Sequence, residues 1–220
     1  MLVRCLAAAL ATLLVAAFPA VAQAKQMDAR ERPTASTILT LENEKCERDA
    51  RKFEGVTVAR ARVCIYVYKL DPTADDDTDR DFRVVWAQSN VNSIPGWCVQ
   101  KAHTEITLPA GNDIVQSVPA EAQTVDEATA ATVTLDLSEA VTQASVSKAL
   151  TYLKGTVEGT ERSVEATEST SAHELVKLTW QGSTDRKLGF ALGLELGQPA
   201  GSAMPEISFG VRYPVKQGSC

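Results

Sequence analysis

The sequence predicts an all-β, mainly antiparallel chain folded as a β-sandwich, with at most one or two short helices. An immunoglobulin-like sandwich is one form of it. Three observations carry the prediction. Apolar and polar residues alternate with period two from residue 56 onward, as half-buried strands require. Turn residues punctuate those runs at Asp71-Pro72, Pro95-Gly96 and Ala110-Gly111-Asn112. Helical patterns do not alternate with the strand patterns, which argues against a βαβ fold.

The first segment reads as an address. Met1 to Arg4 carries one positive charge, Cys5 to Val21 is nearly all Ala, Leu and Val, and Ala22-Gln23-Ala24 offers small residues at the two positions a signal peptidase reads. Residues 1–24 are therefore expected to be a secretory signal peptide, cleaved after Ala24. Residues 25–34 are charged and expected to form a flexible tail. Residues 35–220 are expected to form a single disulfide-tied β domain. The alternative is two β modules split near 116–131.

Two stretches read as short helices. From Glu44 to Phe53, Cys46, Ala50 and Phe53 share one helical face, Glu44–Arg48 and Glu47–Arg51 are spaced four apart, and Gly55 suits a helix end. Glu121 to Ala131 is Ala-rich and polar, and reads equally as a linker.

The strands follow in order. Val63, Ile65 and Val67 alternate with Cys64, Tyr66 and Tyr68; both sets are apolar, so this strand is expected to be central and covered on both sides. Phe82, Val84 and Trp86 form the next, and Ile106 and Leu108 a short one. Val133, Leu135 and Leu137 alternate with Thr and Asp, as a strand with one wet face does. Leu150 and Tyr152 suggest another, ending near Gly155. Val176, Leu178 and Trp180 are closed by Gln181-Gly182-Ser183. Leu188, Phe190, Leu192, Leu194 and Leu196 alternate with Gly189, Ala191, Gly193, Glu195 and Gly197. A strand face of glycines predicts close approach of a neighbouring sheet, or a bulge. Ile207, Phe209, Val211 and Tyr213 make the last.

Four cysteines remain beyond Cys5: Cys46, Cys64, Cys98 and Cys220. An even number in an exported chain reads as two disulfides, and we favour Cys46–Cys64 with Cys98–Cys220. The first closes a short loop; the second ties down a terminus that would otherwise fray. Zinc is disfavoured, because no pair has tight ligand spacing and the chain has only two histidines.

Composition narrows the function. Charged residues are 23% of the 220, hydrophobic residues 45%, and the formal charge is −6, which excludes a wholly disordered chain. The acidic balance without a basic stripe argues against nucleic acid as a partner. No second apolar run follows the signal peptide, so no transmembrane segment is expected after its removal. Asp71, Asp75, Asp76, Asp77, Asp79 and Asp81 crowd one loop. Asp75, Asp77 and Asp79 imitate the start of a calcium-binding EF-hand loop. The imitation fails at position six (Arg80) and position twelve (Trp86). The ordinary explanation is a solvated hairpin loop; a calcium-dependent adhesion module using Asp75–Asp81 is the sharper one. Otherwise no cofactor is expected.

Tyr66, Tyr68, Trp86 and Trp97 fit either the core or a partner surface, since rings bury area and keep a polar handle. Catalytic candidates are His103 and His173, but the chain has no G-x-S-x-G, H-E-x-x-H or Walker A motif. The favoured function is a secreted, periplasmic or cell-surface protein without enzymatic activity. It would act as an extracytoplasmic binding or structural module for an envelope component, a protein or a glycan. A secreted hydrolase using His103 or His173 is the alternative.

Overall fold

The computed structural model describes residues 31–74, 77–109, 112–138, 140, 143–165 and 173–220. The expected signal peptide and most of the expected tail lie outside these residues, as does Asp75. The chain is almost entirely antiparallel β. Its strands are β1 (Thr34–Ala35), β2 (Leu39–Phe53), β3 (Val56–Leu70), β4 (Arg80–Ser93), β5 (Trp97–Pro109), β6 (Asp113–Val118), β7 (Gln123–Val125), β8 (Thr129–Asp136), β9 (Ser145–Tyr152), β10 (Gly155–Val157), β11 (Glu161–Glu165), β12 (His173–Thr184), β13 (Leu188–Pro199), β14 (Ser208–Arg212) and β15 (Val215–Gln217). One 3-10 turn, Pro72–Ala74, interrupts the series.

The strands form three open sheets. One has the order β2-β3-β4-β13-β6. The largest runs β14-β5-β12-β10-β7, with β11 beside β12 and β15 beside β5. The smallest is β1-β9-β8. The five-stranded sheet lies between the other two: β4 and β13 meet β5 and β12 on one side, and β13 and β6 meet β8 and β9 on the other. Burial follows from this layering. Residues 81–89 of β4 and 190–198 of β13 are buried on both faces. The outer sheet has one wet face: Ala102, Thr104, Ile106 and Leu108 point inward on β5, and His103, Glu105 and Thr107 alternate with them. Strands β5 and β12 are neighbours although they lie on either side of residues 116–131 in the sequence, as do β4 and β13.

Strand β13 shows how sequence sets the layers. Leu188, Phe190, Leu192, Leu194 and Leu196 are all fully buried. Burying each such side chain contributes roughly 1.5–3 kcal/mol. The glycine face takes the small sheet: Gly189 lies near Leu150 of β9, and Gly193 is covered by Trp86 and Val118. The space beside Gly193 is thus filled by side chains of its own sheet, as is that beside Gly197 by Arg80, and only at Gly189 does the small sheet come near. Same-sheet side chains, more than the approach of a neighbouring sheet, account for this glycine face.

The helix expected over Glu44–Phe53 is instead the far half of β2. Two local forces override the helical charge spacing. Phe53 pairs with Val56 across Glu54-Gly55, both with positive φ (48° and 83°), which is the two-residue hairpin turn that suits twisted strands. Cys46 then falls directly opposite Cys64 and is disulfide-bonded to it. Charges four apart give way to pairs two apart, Lys45–Glu47 at 2.9 Å and Arg51–Asp49 at 3.4 Å. The helical reading of Glu121–Ala131 is corrected as well. Gln123–Val125 pairs with β10, and β8 begins at Thr129, because tertiary pairing outweighs alanine's helical preference.

The second disulfide joins Cys98 to Cys220 and fastens the terminus against β5, next to β15. At the other end, the expected loose tail is held from Glu31 onward. The Glu31 carbonyl accepts bonds from Gln88 and Lys148, and Arg32 pairs with Glu44 at 2.6 Å.

Candidate functional site

The residues singled out by sequence do not converge. Tyr66 and Trp86 are completely buried between the five-stranded and three-stranded sheets, and Tyr68 is nearly so. They are interior residues, not a partner surface, because β3 and β4 are covered on both faces. Burial pushes the Tyr68 hydroxyl up to about 12, and raises that of Tyr66. Trp97 alone is half-exposed; its ring sits 5.1 Å from that of Phe53.

His103 is half-buried on the outer face of β5, with Nε2 3.3 Å from Glu105 and Arg212 3.0 Å from the same carboxylate. Burial lowers its pKa, and Lys177, Arg212 and Lys101 add to that against the pull of Glu105. No Ser, Thr or Cys side chain hydrogen-bonds His103 among the described residues. His173 starts β12 opposite Pro109, six ladder positions from the His103–Thr179 pair. That places the two histidines about 20 Å apart.

In the acidic loop, Asp71 accepts bonds from the backbone and hydroxyl of Thr73, and Asp77 accepts one from the Asp79 backbone. Asp81 pairs with Lys69 at 2.9 Å and accepts a bond from the Gly201 amide. Among the described residues no group of three or more His, Cys, Asp or Glu side chains is arranged to hold a metal ion.

The site that stands out lies at the opposite end of the molecule. Beyond the Cys46–Cys64 bridge, ladder register lines up Arg48, Arg62, Asn90 and Gly189 in one row, and Ala50, Arg60, Asn92 and the Lys187 position in the next. The small sheet reaches only the Gly189 end of the first row, through Leu150. The two rows form an open groove of about 570 Å³ lined by Arg48, Arg60, Arg62, Asn90, Asn92 and Lys187. Asp49 also contributes to its wall, but its carboxylate pairs with Arg51 at 3.4 Å. Among the described residues no carboxylate lies within ion-pair distance of Arg48, Arg60 or Arg62. Arg48 and Arg62 face each other across the ladder, an arrangement of like charges that costs stability.

The groove opens onto an apolar apex. Phe53 is 47% exposed, Val56 60% and Ile94 40%; only Met204, elsewhere, is a comparably exposed large hydrophobic residue among those described. The Ile94 amide bonds to the Val58 carbonyl, which fixes the β4–β5 turn against the β2–β3 hairpin. Arg60 lines both the main groove and a smaller one beneath Ile94. On the far side, Arg51, Lys52 and Arg212 line a third groove with Phe53, Trp97 and Tyr213. The guanidinium of Arg51 lies 5.2 Å from the centre of the Tyr213 ring.

Sequence reading missed this site. A signal was present in Ala59-Arg60-Ala61-Arg62, where two arginines share one face of a strand while the alanines pack inward. Arg48 joins them only through the hairpin register.

No protein-family model matches the chain, and no curated protein sequence matches it. Among solved structures it is similar to the Clostridium perfringens NetB toxin in its membrane-inserted form. That match has 9% identity, covers 81% of this chain and 92% of that chain, and has a TM-score of 0.25, a likeness too slight to bear on function.

Proposed function

We propose that the chain is an exported, non-enzymatic β-sandwich protein that binds an anionic component outside the cytoplasm through the groove of Arg48, Arg60 and Arg62. One observation carries the reading: three arginines are brought together on two paired strands, and among the described residues none of them has a carboxylate within ion-pair distance, the Asp49 carboxylate of the groove wall being paired with Arg51. Holding like charges together is unfavourable unless something of opposite sign enters between them, and guanidinium forks suit phosphate, sulfate and carboxylate groups. Two disulfides suit an oxidising compartment. The separation of His103 from His173, and the absence among the described residues of a hydrogen-bonded nucleophile at His103, favour binding over hydrolysis.

Calorimetric titration with inorganic polyphosphate tests the proposal. Wild type binds, and affinity falls with added salt as screening requires. The triple variant Arg48→Glu, Arg60→Glu, Arg62→Glu binds at least about tenfold more weakly, because three attractive charges become repulsive. Equal binding by the two proteins, or none by wild type, overturns it.

A further inference from the structure

We propose that the anion served by this groove is presented by a lipid bilayer, and that the apex beside it seats on an anionic membrane surface. The inference rests on the reading of the groove above and adds the identity of what carries the charge. Its own evidence is the apolar apex. A soluble polyanion is satisfied by cations alone and gains nothing from Phe53, Val56 and Ile94 standing in water. A bilayer interface gains from both, since apolar side chains enter the boundary between headgroups and acyl chains while neighbouring Lys and Arg meet anionic headgroups.

Three features of the apex fit that surface. It is made from the turns Glu54-Gly55 and Pro95-Gly96, and a deformable bilayer accepts projecting turns without a matching pocket. It is ringed by cations on both sides, with Arg60 towards the main groove and Arg51, Lys52 and Arg212 on the other. Carboxylates already engage two of these cations, Asp49 with Arg51 at 3.4 Å and Glu105 with Arg212 at 3.0 Å, so the charge left for a surface is that of Lys52, Arg60 and the groove arginines; Glu54 stands in the turn itself. Finally, the acidic loop lies at the far end of β3, fifteen residues and about 45 Å away. The molecule is therefore polarised, and a negative surface draws it apex first.

The experiment is flotation of the intact, oxidised protein with phosphatidylcholine vesicles, with and without phosphatidylglycerol. Trp97 fluorescence is read in parallel with brominated lipids. Trp86 and Trp180 are completely buried, so quenching reports the apex. Wild type is expected to float only with vesicles containing phosphatidylglycerol, and to be quenched there. The variant Phe53→Ser, Val56→Ser, Ile94→Ser, checked for folding by circular dichroism, is expected to lose at least about tenfold in vesicle binding and to keep its polyphosphate binding. The arginine triple variant is expected to lose both. Polyphosphate binding by wild type without vesicle binding overturns this inference and leaves the groove reading standing. Vesicle binding unchanged in the apex variant, absence of quenching, or loss of polyphosphate binding in the apex variant also overturns it. Failure of wild type to bind either probe removes both readings.

Discussion

Gly193 and Trp86 stand opposite each other in the β4–β13 ladder, and the indole occupies the space where a side chain at 193 would be. A Cβ on Gly193 would lie 2.9 Å from the ring and 2.9 Å from Val118 Cγ2. Trp86 is completely buried and has nowhere to go. Gly193→Ala is therefore expected to destabilise by about 1–3 kcal/mol, the cost of overpacking a tight interior. A chain of this size loses roughly 2–4 °C in Tm per kcal/mol. Thermal unfolding of the variant checks this, and an unchanged Tm contradicts the packing described.

Arg83 is a buried cation that ties three segments together. It donates to Glu42 at 2.8 Å, to Gln198 at 2.7 Å and to the Ser202 carbonyl at 3.0 Å, while its side chain is 2% exposed. Arg83→Ala strands these acceptors and is expected to cost about 3–5 kcal/mol. Arg83→Lys keeps the charge but cannot span three acceptors in different directions, so its loss is smaller but measurable. Denaturant unfolding of both variants tests the order, and a lysine variant as stable as wild type refutes it.

The two bridges close loops of different length, 18 and 122 residues apart in sequence. On the chain-entropy account, a loop of about 15 residues contributes about 3 kcal/mol and one of about 100 about 4.7. Removing Cys98–Cys220 by paired serine substitution is expected to cost more than removing Cys46–Cys64. It should also free the amides of β15 for hydrogen exchange, and equal losses would show that unfolded-chain entropy does not govern these bonds.

His103 predicts a pH dependence. Its folded pKa is lowered, first by burial, below the ordinary value of 6.5. Between the folded value and 6.5 the unfolded chain holds a proton that the folded chain lacks, so stability falls as pH drops through that window. Asp81 acts at lower pH. Lys69 holds its carboxyl below 3.8, so its contribution is present above 3.8 and lost as pH falls through the folded value. As pH falls from 7 to 4.5, the melting temperature of wild type is expected to fall relative to that of His103→Gln. Parallel curves would deny His103 this role.

Much of the architecture is legible because a strand's faces are written in alternation. Val176, Leu178 and Trp180, like Leu188 to Leu196, announce both the element and its buried side. Short strands such as β7 and β10 carry no such pattern, since three residues held by neighbours need no amphipathic signature of their own. The cysteine pairing was readable from spacing and from the need to secure a terminus. The groove was not, because its arginines become neighbours only through a hairpin register, and charge spacing in β2 imitated a helix. The aromatic residues misled for a related reason: a ring that fits a partner surface fits an interior as well, and both faces of β3 are covered.

Among the described residues, strand β2 is the outermost strand of its sheet, and along its fifteen residues one side of its backbone faces no ladder neighbour. Such an open border can seed a fibre by recruiting the same border of another copy. Here it carries Glu42, Glu44, Lys45, Glu47, Arg48, Asp49, Arg51 and Lys52. Stacking two such borders would strip water from a dense set of ions. The charge pattern that resembles a helix thus acts as a guard against polymerisation, and neutralising it would be expected to turn a dispersed protein into one that fibrillises on storage.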